Sequence, residues 1–103
     1  MLRPDIEQFY KEVCEVVCHI PEGKVLTYGD VARLVGYPCH SRLVARALSS
    51  LPAGHHVPAW RVVNSQGRTA PCWPQQQALL EVEGVVFRKS GFVDMKACRW
   101  QLL

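Results

Sequence analysis

The sequence predicts a mostly α chain with a small β element, folded as one winged-helix-like domain over residues 1–103 around a helix-turn-helix. Three observations predict it. The run from Ile6 to Ile20 keeps its apolar residues on one helical face. Two short amphipathic stretches, 27–35 and 41–51, are joined by a turn containing Gly36. The remaining apolar runs, 60–63, 85–87 and 92–93, suit short extended segments rather than a large sheet.

Each element has local signals. Asp5 is placed to cap the first helix, with an amide, Gln8, three residues on. Ile6, Phe9, Tyr10, Val13, Val16, Val17 and Ile20 then give one apolar face. Pro21 stops the helix, and Pro21-Glu22-Gly23-Lys24 forms a turn. Val25 and Leu26 make a short extended link. Thr27 caps the second helix, and Asp30 stands where a capping box needs an acid. Val31, Leu34 and Val35 give its buried side, Gly36 its C′ residue, and Pro38 blocks continuation. Ser41 is the expected cap of the third helix. Leu43, Val44, Ala47, Leu48 and Leu51 form its apolar stripe, with Arg42, Ala45, Arg46 and Ser49 opposite.

The second half is more irregular. A loop with two histidines, 52–57, precedes an expected buried extended run from Trp60 to Val63. Asn64-Ser65-Gln66-Gly67 is a turn, and Arg68 to Trp73 has no regular pattern. Pro74 opens a helix carrying Ala78, Leu79, Leu80 and Val82, which Gly84 ends. Val85 to Phe87, Ser90-Gly91 and Phe92-Val93 read as a strand, a hairpin turn and a return strand.

Composition narrows the function classes. Apolar residues at 49% and charged residues at 20% fit a globular chain with one modest core. No apolar run nears the ~18 residues of a membrane-spanning helix. Met1-Leu2-Arg3-Pro4-Asp5 lacks a leader's apolar core, so a cytoplasmic location, the cytosol or nucleoid of a bacterium, is expected. The net charge of +3 is unevenly spread. Lys24, Arg33, Arg42, Arg46 and Arg61 face one acid, Asp30, between residues 24 and 61, while the acids gather at 5–22 and 81–83. That pattern suits a localised phosphate-binding face. Five cysteines, an odd number without framework spacing, argue for free thiols. Cys14, Cys18 and His19 are too few for a structural zinc, and Cys14 and Cys18 fit a packed helix face; no metal or cofactor is expected.

Three motifs occur in order: Thr27-Tyr28-Gly29-Asp30-Val31-Ala32, Ser41-Arg42-Leu43-Val44-Ala45-Arg46-Ala47-Leu48, and Val57-Pro58-Ala59-Trp60-Arg61-Val62-Val63. Together they resemble the C-terminal DNA-binding domain of the O6-alkylguanine-DNA alkyltransferases (methylated-DNA-protein cysteine methyltransferases), from about Phe9 to Phe87. In that family the third motif reads Pro-Cys-His-Arg-Val, and its cysteine takes the alkyl group off the base. Here Ala59 stands at the cysteine position and Trp60 at the histidine position. Alanine has no nucleophile, and an indole N–H cannot act as a base. The chain thus resembles the alkyltransferase-like proteins, which keep the lesion-binding framework without the transfer. The commoner pattern among those puts Trp at the cysteine position and keeps the His; here Trp comes one place later.

The resemblance implies binding of duplex DNA containing O6-alkylguanine, rotation of the damaged nucleotide into a pocket, and hand-over to nucleotide excision repair. It makes Arg42 the intercalating arginine and Tyr28 the tyrosine that pushes on the target phosphate. It implies minor-groove binding, which the small Ala45 and Ser49 would allow. Arg46, one turn beyond Arg42, is placed for phosphate, with Lys24, Thr27 and Ser41 as further contacts. The expected lesion pocket is Pro58, Ala59, Trp60, Tyr28 and Arg68, the last able to stack its guanidinium on the base. Trp60 has two readings, a lesion contact or a wall filling the space of the histidine. Arg61 is expected to be structural. Glu83 matches a glutamate that orients the family's histidine and, with Trp60 there, is expected to be structural too. A monomer is expected. The alternatives are a generic winged-helix DNA-binding regulator, a residual alkyltransferase using Cys72, and a partner-binding module without a DNA role.

Overall fold

The computed structural model describes residues 5–101; Met1–Pro4, read above for the lack of a leader, lie outside them. In order the chain forms α1 (Ile6–His19), β1 (Leu26–Thr27), α2 (Tyr28–Leu34), α3 (Ser41–Ser49), a single 3₁₀ turn (Ala59–Arg61), β2 (Val62–Val63), α4 (Gln75–Val82) and α5 (Met95–Cys98). The mostly helical chain with a small β element is therefore as expected.

Helix α1 begins where Asp5 accepts the Gln8 N–H at 3.2 Å. The Gln8 side chain points on to Glu12 instead of back to the cap, so no capping box closes there. Phe9, Val13, Val17 and Ile20 are fully buried, while Ile6 stays 51% exposed. At about 1.5–3 kcal/mol for each large side chain, those four make α1 the main support of the first core. That core gathers Leu26, Val31, Ala32, Val44, Ala47 and Val62 around them, joining α1, α2 and α3.

Helix α2 starts with the anticipated reciprocal box: Thr27 N–H donates to Asp30 and Asp30 N–H to the Thr27 hydroxyl, at 3.0 and 2.9 Å. The buried side differs from the pattern. Val31 and Ala32 are buried and Leu34 is 48% exposed. A seven-residue helix packed by both α1 and α3 buries three adjacent positions, Asp30, Val31 and Ala32, and its last turn projects outward. Gly36 follows at φ +90°, as a C′ glycine does. Ser41 is not the cap of α3. The N-cap is His40, with no side-chain bond to the helix, and its ring meets the Tyr37 ring edge-on at 5.5 Å.

Strands β1 and β2 pair in parallel, Leu26 with Val62 and Thr27 with Val63. The expected extended run at 60–63 is thus only half extended, because Ala59–Arg61 winds into a 3₁₀ turn first. A second core of Val25, Val63, Leu80, Val85, Val93 and Cys98 lies beyond the strand pair. It holds α4, the hairpin bridge Phe87–Val93, and α5. Of α4, only Gln76 and Leu80 are buried, while Ala78, Leu79 and Val82 face outward. Gln76 is buried because backbone groups need it: its amide donates to the Trp60 and Val62 carbonyls at 3.0 and 2.9 Å and accepts the Ala70 N–H at 2.7 Å. Helix α5 was not foreseen; Asp94 caps it by accepting the Ala97 N–H at 3.1 Å.

The Asn64–Gly67 turn closes as expected, with Asn64 Oδ1 accepting the Gln66 and Arg68 N–H groups at 2.9 and 2.8 Å. Gly67 sits at φ +87°, its carbonyl accepts the Val93 N–H at 2.9 Å, and a Cβ there would stand 2.6 Å from the Val93 carbonyl oxygen. Gly67→Ala should therefore destabilise the fold by roughly 2–4 kcal/mol. Urea denaturation checks this; a loss below about 0.5 kcal/mol would show that turn and hairpin can separate freely.

Candidate nucleic-acid interface

Helix α3 presents Arg42, Arg46 and Ser49 to solvent, with Ala45 half-buried between them. The charge pattern resolves once the ion pairs are known. Arg33 binds Asp30, and Arg61 binds Glu83 at 2.6 Å. Of the five cations between residues 24 and 61, that leaves Lys24, Arg42 and Arg46 without an acidic partner among the described residues. Lys24 lies apart, with Nζ 3.5 Å from the Ala97 carbonyl. The unneutralised charge of the helix-turn-helix is thus concentrated on one face of α3.

A cavity of about 320 Å³ opens beside that face. Ala45, Leu48 and Ser49 of α3 make one wall, and Tyr28 and Ala59 make another. Ala70, Cys72 and Trp73 close it from the loop before α4, and Leu51 and His55 from the loop after α3. Its lining is chiefly small or apolar. Burial raises the Tyr28 phenol above its ordinary pKa, and the nearby Cys72 adds to this, so the hydroxyl stays protonated and able to donate. Ala59, 8% exposed, puts a methyl group at the cavity surface.

The expected site residues fall into three places. Tyr28 and Ala59 line the cavity. Thr27 and Ser41 border a neighbouring cleft that shares Tyr28. Arg42 and Arg46 flank a shallow groove with Cys39, His40 and Leu43. Pro58, Trp60 and Arg68 are not among the residues lining the cavity. Pro58 is buried beneath it, and Arg68 is exposed on the Asn64 turn. The Trp60 ring packs against the second core. Its indole N–H donates to Glu83 at 2.8 Å, and the Arg61 guanidinium lies 5.6 Å from its ring centroid. Glu83 also accepts from Arg61 Nε at 3.0 Å and from the Gly23 N–H at 3.3 Å. Glu83 therefore anchors the Trp60 indole, which packs on the second core. Trp73 and His55 are cavity residues that no sequence pattern marked, while Cys72, the thiol the sequence offered for a residual transferase, lines the cavity too.

Asp30 fixes the cavity from behind. Besides closing the cap of α2, it receives Arg99 Nε at 3.0 Å and a second Arg99 nitrogen, and it pairs with Arg33. Burial works against the Asp30 charge, but the Arg99 guanidinium and the Thr27 N–H and hydroxyl outweigh it and hold the carboxyl below its ordinary pKa. Glu83 shows the same balance, with Arg61, Trp60 and Gly23 opposing burial. Among the described residues, no helix is long and apolar enough to cross a membrane, and no three metal-ligating side chains gather.

Known proteins share this arrangement. Residues 8–85 match the family described as 6-O-methylguanine DNA methyltransferase, DNA binding domain. The DNA base-flipping protein of Vibrio parahaemolyticus is 37% identical across 93% of this chain and 99% of its own length. Alkyltransferase-like protein 1 of Schizosaccharomyces pombe is 41% identical across 88% of this chain and 89% of its own. The chain belongs to the alkyltransferase-like family. The fold of this alkyltransferase-like chain agrees with that of S. pombe Atl1 in complex with damaged DNA containing O6-carboxymethylguanine: TM-score 0.85 at 35% identity, covering 98% of this chain and 100% of that one.

The two depressed carboxyl pKa values set the acid limit of this alkyltransferase-like fold. A carboxyl held below its unfolded value stabilises above the unfolded pKa, and that stability is lost as pH falls through the folded value. The protein should therefore lose stability as pH falls below the ordinary carboxyl range of about 4 and on through the lower folded values of Asp30 and Glu83. Asp30→Asn should cost about 1–3 kcal/mol at pH 7 and flatten the decline at low pH. Urea midpoints at pH 7 and pH 3 test this; a variant as steep as wild type would remove Asp30 from the acid response.

Proposed function

We propose that this chain is a non-catalytic sensor of O6-alkylguanine in duplex DNA. Helix α3 enters the minor groove, the damaged nucleotide is rotated out, and the base enters the cavity of Tyr28 and Ala59. One observation carries the reading: this cavity opens directly beside the Arg42/Arg46 face and presents a methyl group where transfer needs a thiol. Arg42, at the first turn of α3, enters the stack where the base has left. Tyr28 presses on the rotated phosphate, with Thr27 and Ser41 on the adjoining cleft. Arg46 and Lys24 hold backbone phosphates. Dealkylation would need a thiolate and a base beside it, and Ala59 and Trp60 supply neither. Ala59 also leaves room for alkyl groups larger than methyl. A single domain acting as a monomer in the cytosol, it marks the lesion for nucleotide excision repair, because a binder that cannot repair must pass the site on.

Cys72 supports a second reading, since its thiol lines the same cavity as His55. The His55 Nδ1 accepts the Val57 N–H at 3.1 Å, so in this geometry that nitrogen is not free to take a proton from Cys72.

Two measurements test the proposal. Incubation with DNA labelled on the O6-methyl group should leave the protein unlabelled; label on Cys72 would establish transfer instead. In binding assays on duplexes differing only by O6-methylguanine or guanine, wild type should prefer the lesion. Arg42→Ala should cost roughly 2–4 kcal/mol on the lesion duplex alone. Arg46→Ala should weaken both duplexes alike and flatten the salt slope by about one unit. Equal losses from both variants on both duplexes would make Arg42 one more phosphate contact.

A further inference from the structure

Trp73 is a large aromatic side chain that belongs to neither hydrophobic core. It is half-buried and lines the same cavity as Tyr28 and Ala59. Its loop is firmly held. The Trp73 N–H donates to the Ala70 carbonyl and the Gln76 N–H to the Trp73 carbonyl, each at 3.1 Å. Gln76 then ties Ala70 to the carbonyls of Trp60 and Val62, so the Trp73 loop is stitched to the turn that carries Ala59. The α3 part of the lining is Ala45, Leu48 and Ser49, none of which carries a planar ring. Arg68, the planar group the sequence offered for stacking, lies outside the cavity. Trp73 is therefore the largest side chain of the lining, carried on a braced loop and sharing the cavity with Tyr28.

We propose that Trp73 is the stacking platform of this site: its indole face packs on the extruded purine and sets the affinity for flipped nucleotides. The inference rests on the reading that a base enters this cavity. Stacking engages the ring of the base and is indifferent to its substituents. Trp73 therefore contributes equally for small and large O6-alkyl groups, whereas Ala59 governs the room available to the group itself.

The test compares wild type, Trp73→Ala and Trp73→Phe on duplexes carrying O6-methylguanine, O6-benzylguanine or guanine. Trp73→Ala should weaken both lesion duplexes by about 5- to 150-fold, the fold-change that about 1–3 kcal/mol per stacked base gives at 1.4 kcal/mol per tenfold. Binding to the guanine duplex should be unchanged, which also shows that the variant is folded. Trp73→Phe should recover most of the loss, and the quenching of indole fluorescence by lesion DNA should shrink in that variant. Trp73→Ala with wild-type lesion affinity, or with equal losses on all three duplexes, would overturn the stacking role. A wild type that does not distinguish lesion from guanine would overturn the lesion reading itself; a selective wild type matched by Trp73→Ala would overturn the platform alone.

Discussion

The site depends on a parallel pairing of only two residues per strand. Leu26 and Thr27 lie against Val62 and Val63, all buried. Tyr28 follows Thr27 directly, and Ala59 lies just before β2, so this register places both on one cavity although they are far apart in sequence. A pair so short cannot hold by its own ladder. It is clamped on one side by α1, α2 and α3, and on the other by the core of Leu80, Val85 and Val93. Val25 extends it through a bridge to Arg99, the residue that anchors Asp30. The orientation of α2, and with it of Tyr28, is thus fixed at its cap, its register and its long-range ion pair together.

A second set of bonds, centred on Glu83, holds the turn that carries Ala59. Glu83 accepts the Trp60 indole N–H, and Arg61 binds the same carboxylate. A buried carboxylate left without partners would be costly, and the Trp60 indole N–H and the Arg61 guanidinium supply them. Turning the Trp60 ring toward the second core leaves the cavity to Ala59.

Most local signals in the sequence held, the Ser41 cap being an exception because His40 takes that place. The Thr27–Asp30 box, the Asp5 cap, Gly36 and the Asn64–Gly67 turn involve residues within a few positions of one another, and each forms. Periodicity failed where an element is short or packed from two sides, as with Leu34 in α2, or where a polar residue serves the backbone, as with Gln76 in α4. The long-range pairs Arg99–Asp30 and Arg61–Glu83 leave no local trace. Part of the basic segment between residues 24 and 61 is therefore already neutralised, and among the described residues Lys24 and the α3 pair Arg42 and Arg46 keep free charge there. Of the candidate cavity residues, Tyr28 and Ala59 were legible through motifs. Cys72 was legible only as the one thiol of the closing loop, and Trp73 and His55 were not, because they sit in loops where no spacing rule says which way a side chain turns.

The central claim is that a base leaves the duplex and occupies the Tyr28–Ala59 cavity. A crystal structure of the protein on a duplex carrying one O6-methylguanine measures this most directly. The expected result is the modified purine inside the cavity, with the Arg42 side chain in the gap it left and the α3 face in the minor groove. An O6-methylguanine still stacked and paired within the helix, with the cavity unfilled and Arg42 on a phosphate, would contradict it.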